Sequence, residues 1–123
     1  MTLTIATVMD GLAACVTTVA NVYARPVENV TVPCVLVDYP KIDYDFVMNY
    51  GADRWDVPVL YVVGATSTKD ALDDIAATSA VLRLAFNGSS TIGSVRVTEG
   101  EIIPVTVGAV TYLGIKMNCE VIG

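Results

Sequence analysis

Histidine, the commonest general base near neutral pH and a frequent metal ligand, is absent from this sequence. That absence rules out hydrolases that pair a serine or cysteine nucleophile with a histidine base. Chemistry would fall to carboxylates and thiols. Asp43 and Asp45 lie on one side of any extended segment, because alternate side chains of a strand share a face. Two carboxylates so placed can hold a divalent cation or divide acid and base roles, but neither a histidine nor a third clear carboxylate accompanies them. The competing readings are a protein contact and a plain solvated strand. Asp70, Asp73 and Asp74 could also suggest a metal site. Their place in the first turns of a helix explains them more simply, through solvation and the positive end of the helix dipole. A Gly-rich phosphate loop, an acidic calcium loop, a CxxC pair and a dinucleotide fingerprint are all missing, so no catalytic, cofactor-binding or metal-ligating residue is assigned.

The residues suited to contact rather than chemistry cluster between positions 43 and 55. Asp43, Tyr44, Asp45, Phe46 and Tyr50 form an acidic and aromatic group, followed by Asp53, Arg54 and Trp55. Trp55 is read either as an interface anchor or cation-π partner of Arg54, or as a partly buried core residue at a strand end. Tyr112, Lys116 and Glu120 line the less apolar face of the last strand. They suit a neighbouring subunit or a solvated surface equally.

These residues need a scaffold, and the stretch from Arg54 to Gly64 is its centre. Val57, Val59, Tyr61 and Val63 share one face while Leu60 and Val62 make the other apolar too, which predicts a strand covered on both sides over part of its length. After it, Ser67 and Asp70 are spaced as a capping box, so the strand feeds a helix. That helix is predicted from Thr68 to about Ala85, with Leu72, Ile75, Ala76, Ser79, Leu82 and Phe86 inward. Asn87-Gly88 reads as its left-handed terminator, and 89–93 as a loop with room for a helical turn.

An earlier helix is predicted from Thr4 to about Asn21 by the spacing of Ile5, Val8, Met9, Leu12, Val16 and Val19. A short extended piece from Val22 to Arg25-Pro26 follows. Val32 to Tyr39 reads as a strand, with Pro33 at its beginning or on an edge, and Lys41 to Phe46 resumes pairing after Pro40. The segment between Asp43 and Arg54 is expected to form a long hairpin arm reaching outward. In the last third, Ser94 to Glu101 is a strand, Pro104 interrupts the run before Val105 to Val107, and Gly108-Ala109 turns into a long final strand. There Thr111, Leu113, Ile115, Met117, Cys119 and Val121 alternate against Tyr112, Gly114, Lys116, Asn118 and Glu120. The expected fold is α+β, one domain over residues 1–123: a mainly antiparallel sheet with two helices packed on one face.

Composition narrows the partners. An apolar content of 54% is enough for a core and excludes disorder across the chain. A net charge of -6, from 13 acidic and 7 basic residues with no basic cluster, disfavours binding to nucleic-acid phosphates. Acidic groups near DNA would repel it, which suits a channel wall better than a binding groove. Cys15, Cys34 and Cys119, odd in number and each in an apolar stretch, point to buried thiols in a reducing compartment. Neither a signal peptide nor a transmembrane helix is expected.

The arrangement Ile42-Asp43-Tyr44-Asp45, then Gly51-Ala52-Asp53-Arg54 leading to Val62-Val63-Gly64, then Val110-Thr111-Tyr112-Leu113-Gly114 and Glu120-Val121-Ile122 resembles the tail terminator proteins of long non-contractile-tailed phages. The likeness is greatest to those of phages infecting actinobacteria. It implies a sheet flanked by helices and a ring of six copies that caps the tail tube in the virion, assembled in the host cytoplasm. Such a ring stops tube-protein addition and offers the docking surface for the head and neck, while DNA passes its channel without sequence-specific binding. The resemblance implies no cofactor, no turnover and no membrane. The expected contact residues are Asp43, Tyr44, Asp45, Phe46, Tyr50, Asp53, Arg54, Trp55, Tyr112 and Lys116. A neck or head-completion connector is the near alternative, and a small enzyme using Asp43 and Asp45 the distant one.

Overall fold

Strand β4 (Arg54–Val63) is hydrogen-bonded along its whole length to β7 (Val110–Ile122), from Arg54 opposite Ile122 to Val63 opposite Leu113. The computed structural model that places these elements describes residues 4–19, 21–26, 30–43, 54–64, 67–90, 93–107 and 109–122. In chain order the other elements are α1 (Ile5–Ala14), β1 (Val22–Tyr23), β2 (Cys34–Val37), β3 (Lys41–Asp43), α2 (Thr68–Phe86), β5 (Gly88–Ser90) and β6 (Gly93–Val107). The seven strands form one sheet in the order β1-β2-β4-β7-β6-β5, with β3 also paired to β4. Every pairing is antiparallel except β1 with β2. The α+β class expected from the sequence is the observed one.

Both helices pack on the same face. Val8, Met9 and Leu12 of α1, with Ala71, Ile75, Leu82 and Phe86 of α2, close over Val57, Val59, Tyr61 and Val63 of β4 and Met117, Cys119 and Val121 of β7. The far face carries a second, smaller apolar cluster in which Cys34, Leu60 and Val62 are buried against Leu36, Ile103, Val105 and Tyr112. The central strand is thus apolar on both sides only toward its C-terminal end, as its residue pattern suggests. Gly114 makes the close approach possible: a Cβ there would sit 2.8 Å from the Tyr61 carbonyl oxygen and 3.1 Å from Val105 Cγ2.

Pro58 stands inside this central strand without breaking it. Its carbonyl accepts from the Asp38 amide at 2.8 Å, and in an antiparallel strand the N–H and C=O of one residue point to the same neighbour. The missing N–H therefore faces the link between β2 and β3, and no bond to β7 is lost. The edge of β4 opposite β7 is shared, with β2 paired to Val59 through Val62 and β3 to Arg54 through Asp56. This β3–β4 pairing is the base of the expected hairpin arm. Its remainder, 44–53, lies outside the described residues.

Several elements depart from their predicted bounds. The first helix stops at Ala14 instead of near Asn21. Val16, Thr17, Thr18 and Val19 are all β-branched, and their restricted side-chain rotamers lower helix propensity. Val16 stays buried beyond the helix end, while Ile5 is exposed. Ser67 Oγ caps α2 by accepting from the Asp70 amide at 3.1 Å, but the inner stripe is turned relative to expectation. Ala71 and Asp74 lie toward the sheet, and Leu72 and Ala76 face out. Tyr61 accounts for the turn: its part-buried hydroxyl donates to Asp74 Oδ1 at 2.9 Å, and Thr78 Oγ1 donates to the same oxygen at 2.9 Å.

Asn87 is no left-handed terminator. Its backbone is extended, at φ -70 and ψ 136, and its Oδ1 accepts from the Val97 amide at 2.8 Å. The chain runs directly into β5, so the expected loop at 89–93 is in part a strand paired with the start of β6, whose first residue, Gly93, takes a positive φ of 112. Pro104 does not interrupt β6. Beyond β5 that strand has, among the described residues, a strand partner on one edge only, so an absent N–H can face outward at no cost.

Among the cysteines, Cys34 and Cys119 are fully buried. Cys15 is only partly buried, its Sγ donating to the Gly11 carbonyl at 3.3 Å. Burial and the nearby Cys15 push the Cys119 thiol from 9.0 up to about 12.

Two measurements check these packing statements. Gly114→Val forces a side chain against backbone that cannot yield, so thermal denaturation should show a loss of about 1–3 kcal/mol. The Cys119 shift acts through linkage. A thiol whose folded pKa is raised contributes stability fully present below pH 9 and lost as pH rises through about 12. Denaturant titrations between these limits should show a decline from this group approaching ~1.4 kcal/mol per pH unit. Cys119→Ala should be less stable than the parent at pH 7 and decline less steeply across that window.

Candidate functional site

The half of the sheet's far face not covered by the second apolar cluster is a polar strip crossing β3, β4, β7 and β6. Register places it. Lys41 and Asp43 stand opposite Asp56 and Arg54, and Arg54, Asp56 and Pro58 stand opposite Ile122, Glu120 and Asn118. Strand alternation then puts Arg54, Asp56, Asn118 and Glu120 on the side away from the helices.

The strip is tied by side chains from segments remote in sequence. The Arg54 guanidinium lies 3.7 Å from Asp43 Oδ2 and 3.6 Å from Asp56 Oδ2. Asn118 Nδ2 donates to Asp56 Oδ1 at 3.4 Å and to Thr98 Oγ1 at 2.9 Å, and Thr98 Oγ1 donates to the Asn118 carbonyl at 3.3 Å. In the next row Arg96 pairs with Glu120 at 3.2 Å. Beside this chain lies a concavity of about 250 Å³ between Tyr39 and Lys41 on one side and Glu99, Glu101 and Lys116 on the other, floored by Asp56, Pro58 and Asn118. Charges of both signs alternate across it, an arrangement suited to holding a partner in one orientation.

Glu99 and Glu101 reach this face through a bulge. Before it, Val95 and Val97 pair with Val121 and Cys119 on the helix side; after it, Glu99 pairs with Asn118 and Glu101 with Lys116. The extra residue, Thr98, shifts the alternation of β6 by one. Its hydroxyl is one of the groups that tie the strip.

The expected contact residues are distributed as follows. Asp43 and Arg54 are brought together in the strip, and Lys116 is exposed beside it. Tyr112 is packed partly into the apolar end of the same face. Trp55 is 3% exposed and belongs to the main core, so it offers no contact surface in the single chain. It also cannot stack on Arg54, since adjacent strand residues point to opposite faces. Its Nε1, like Arg54 Nε, is buried without a hydrogen-bond partner among the described residues. Tyr44, Asp45, Phe46, Tyr50 and Asp53 lie outside the described residues, so the Asp43/Asp45 carboxylate pair has only Asp43 placed. Of the acidic cluster on α2, Asp74 is the acceptor for Tyr61, and Asp73 lies 3.4 Å from Lys69 one turn earlier. No group of three potential metal ligands occurs among the described residues.

Sequence reasoning missed Asp56, Thr98, Glu99 and Glu101 as members of the strip. Alternation along 110–122 marks the β7 row, but nothing in the order of residues marks the bulge that brings Glu99 and Glu101 alongside it.

On the helix side, α2 presents a second stripe outward. Ala77, Val81 and Leu84, one helical face by spacing, are exposed, Leu84 by 78%. The chain therefore has two unlike surfaces, a polar sheet face and an apolar helix face, on opposite sides of the sheet. Comparison with family models, curated proteins and solved structures yields no match.

The half-exposed Arg54 ion pairs are worth about 0–1 kcal/mol each. With two such pairs, Arg54→Leu should therefore cost no more than about 2 kcal/mol in urea denaturation at low salt. The difference from the parent should shrink at high salt, where the two remaining carboxylates repel less.

Proposed function

We propose that this protein is a structural ring component of a phage tail: it caps the tail tube, stops tube polymerisation and forms the docking surface for the head-neck complex. The observation that carries this reading is the pair of unlike exposed surfaces on opposite sides of one sheet. A closed ring needs a heterologous interface, in which one patch of each subunit meets a different patch of the next. The sixfold number, the virion tail as location and the tube and neck partners come from the resemblance of the segments around Asp43, Arg54, Val110 and Glu120. In this role the polar strip supplies registration and the apolar stripe of α2 supplies area. The ion pair of Arg54 with Asp43 favours registration over proton transfer for that carboxylate. A neck or head-completion connector shares these features and differs in binding the portal side of the junction instead of the tube.

The test is depletion of the protein during phage assembly. Tubes of uneven or excessive length that fail to join heads are expected; uniform tubes that join normally would overturn the proposal. A second check isolates the surface. Leu84→Glu, at a largely exposed position, should leave thermal stability within about 0.5 kcal/mol while reducing the ring population in mass measurements and negative-stain images of assembly reactions. An unchanged ring population would remove α2 from the interface.

A further inference from the structure

Strand β6 has neighbours on both edges only at its start. β5 pairs with Gly93, Ser94 and Val95, and Asn87 Oδ1 takes the Val97 amide. From Glu99 onward β7 is its only strand partner among the described residues. Two features bound the open edge: the bulge at Thr98, which twists the strand, and Pro104, which has no N–H to offer. Both are devices that block indiscriminate edge pairing. Between them, Glu99 to Ile103 remains available.

The chemistry of this window alternates. Glu99 and Glu101 share the polar face with their partners Asn118 and Lys116, while Gly100 and Ile102 share the helix side with Met117 and Ile115. On that helix side a groove of about 430 Å³ runs between the strand and α2, with Ile115 and Met117 beneath and Ser79, Ala80 and Arg83 along the helix. Ile102 is half exposed beside it.

We propose that the Glu99–Ile103 edge of β6 takes an extended segment of another protein as an added strand. Alternate apolar side chains of that segment enter the groove beside α2, and lysine or arginine side chains lie over Glu99 and Glu101. Strand addition supplies main-chain hydrogen bonds, and alternate side-chain positions supply selectivity. Charge fixes which way the segment faces. Arg83 disfavours basic groups on the groove side, and the two glutamates favour them on the other. A second copy of this strand is the wrong occupant, because antiparallel self-pairing centred on the window sets Glu101 against Glu101. The inference goes beyond the tail assignment and does not depend on it.

The probe is a blocked hexapeptide of alternating valine and lysine, titrated into the isotopically labelled full chain and followed by amide chemical shifts. Companion peptides carry glutamate or serine in place of lysine. The expected result is shifts concentrated at 99–103, with affinity at least tenfold higher for the lysine peptide than for the glutamate peptide and falling as salt is raised. The double variant Glu99→Lys, Glu101→Lys, both at exposed positions, should reverse that preference. Should the variant fold poorly, the salt dependence and the peptide preference of the parent decide. Absent shifts, shifts elsewhere, equal affinity for all three peptides, or self-association through this edge would each overturn the proposal.

Discussion

Ten residues of β4 paired in continuous register with β7 set the two sides of this molecule. Because side chains alternate, a slip of one residue would carry Val57, Val59, Tyr61 and Val63 to the solvated side and bring Asp56 and Pro58 beneath the helices. The register is held from within each strand. Trp55, Val57, Val59 and Val63 meet Val121, Cys119, Met117 and Leu113 on the core side, and Gly114 admits the Tyr61 carbonyl where any side chain would block it. The helices are secondary to this ladder. They cover a face already decided, with α2 turned to the angle at which Asp74 accepts from the part-buried Tyr61 hydroxyl.

The strand edges follow a different rule. β4 has its partners shared between β2 and β3, and the one residue that cannot donate, Pro58, sits at their junction. β6 is covered by β5 and Asn87 over its first part and bounded by a bulge and a proline beyond. A long open edge is an invitation to aggregation. Here it is reduced to a short window whose side chains carry charge on one face.

Much of this was legible because strands report their burial through alternation. The apolar faces of 54–64 and 110–122, the start of α2 at Ser67 and the α+β class follow from period and capping alone. What escaped depended on neighbours distant in sequence. The early end of α1 follows from a run of β-branched residues that the apolar stripe masked. The angle of α2 depends on Tyr61, and the extended Asn87 on the Val97 amide. Continuity of β6 through Pro104 depends on that strand lying at an edge, which its own residues do not announce. The polar strip was half legible. Arg54, Asp43 and the β7 row were marked by type and position, whereas Glu99 and Glu101 join them only because Thr98 adds a residue to one strand.

The strip's construction bears on what it can do. Its side chains stand on four strands and are bonded across them, from Asp43 through Arg54 and Asp56 to Asn118 and Thr98. Groups fixed to regular elements lose less freedom on association than groups on loops, so more of the interaction free energy remains for discrimination. In the proposed role, a surface that ends polymer growth by shape must also not remodel itself to accept one more subunit. A sheet face registered by a continuous ladder resists such remodelling, since moving one row means slipping the rest. The apolar stripe of α2 is less constrained, because rotamer changes at Val81 and Leu84 leave the ladder intact. If the two surfaces close a ring, rigidity on the sheet face sets the geometry of closure, and adaptable apolar contact on the helix face absorbs the remaining misfit.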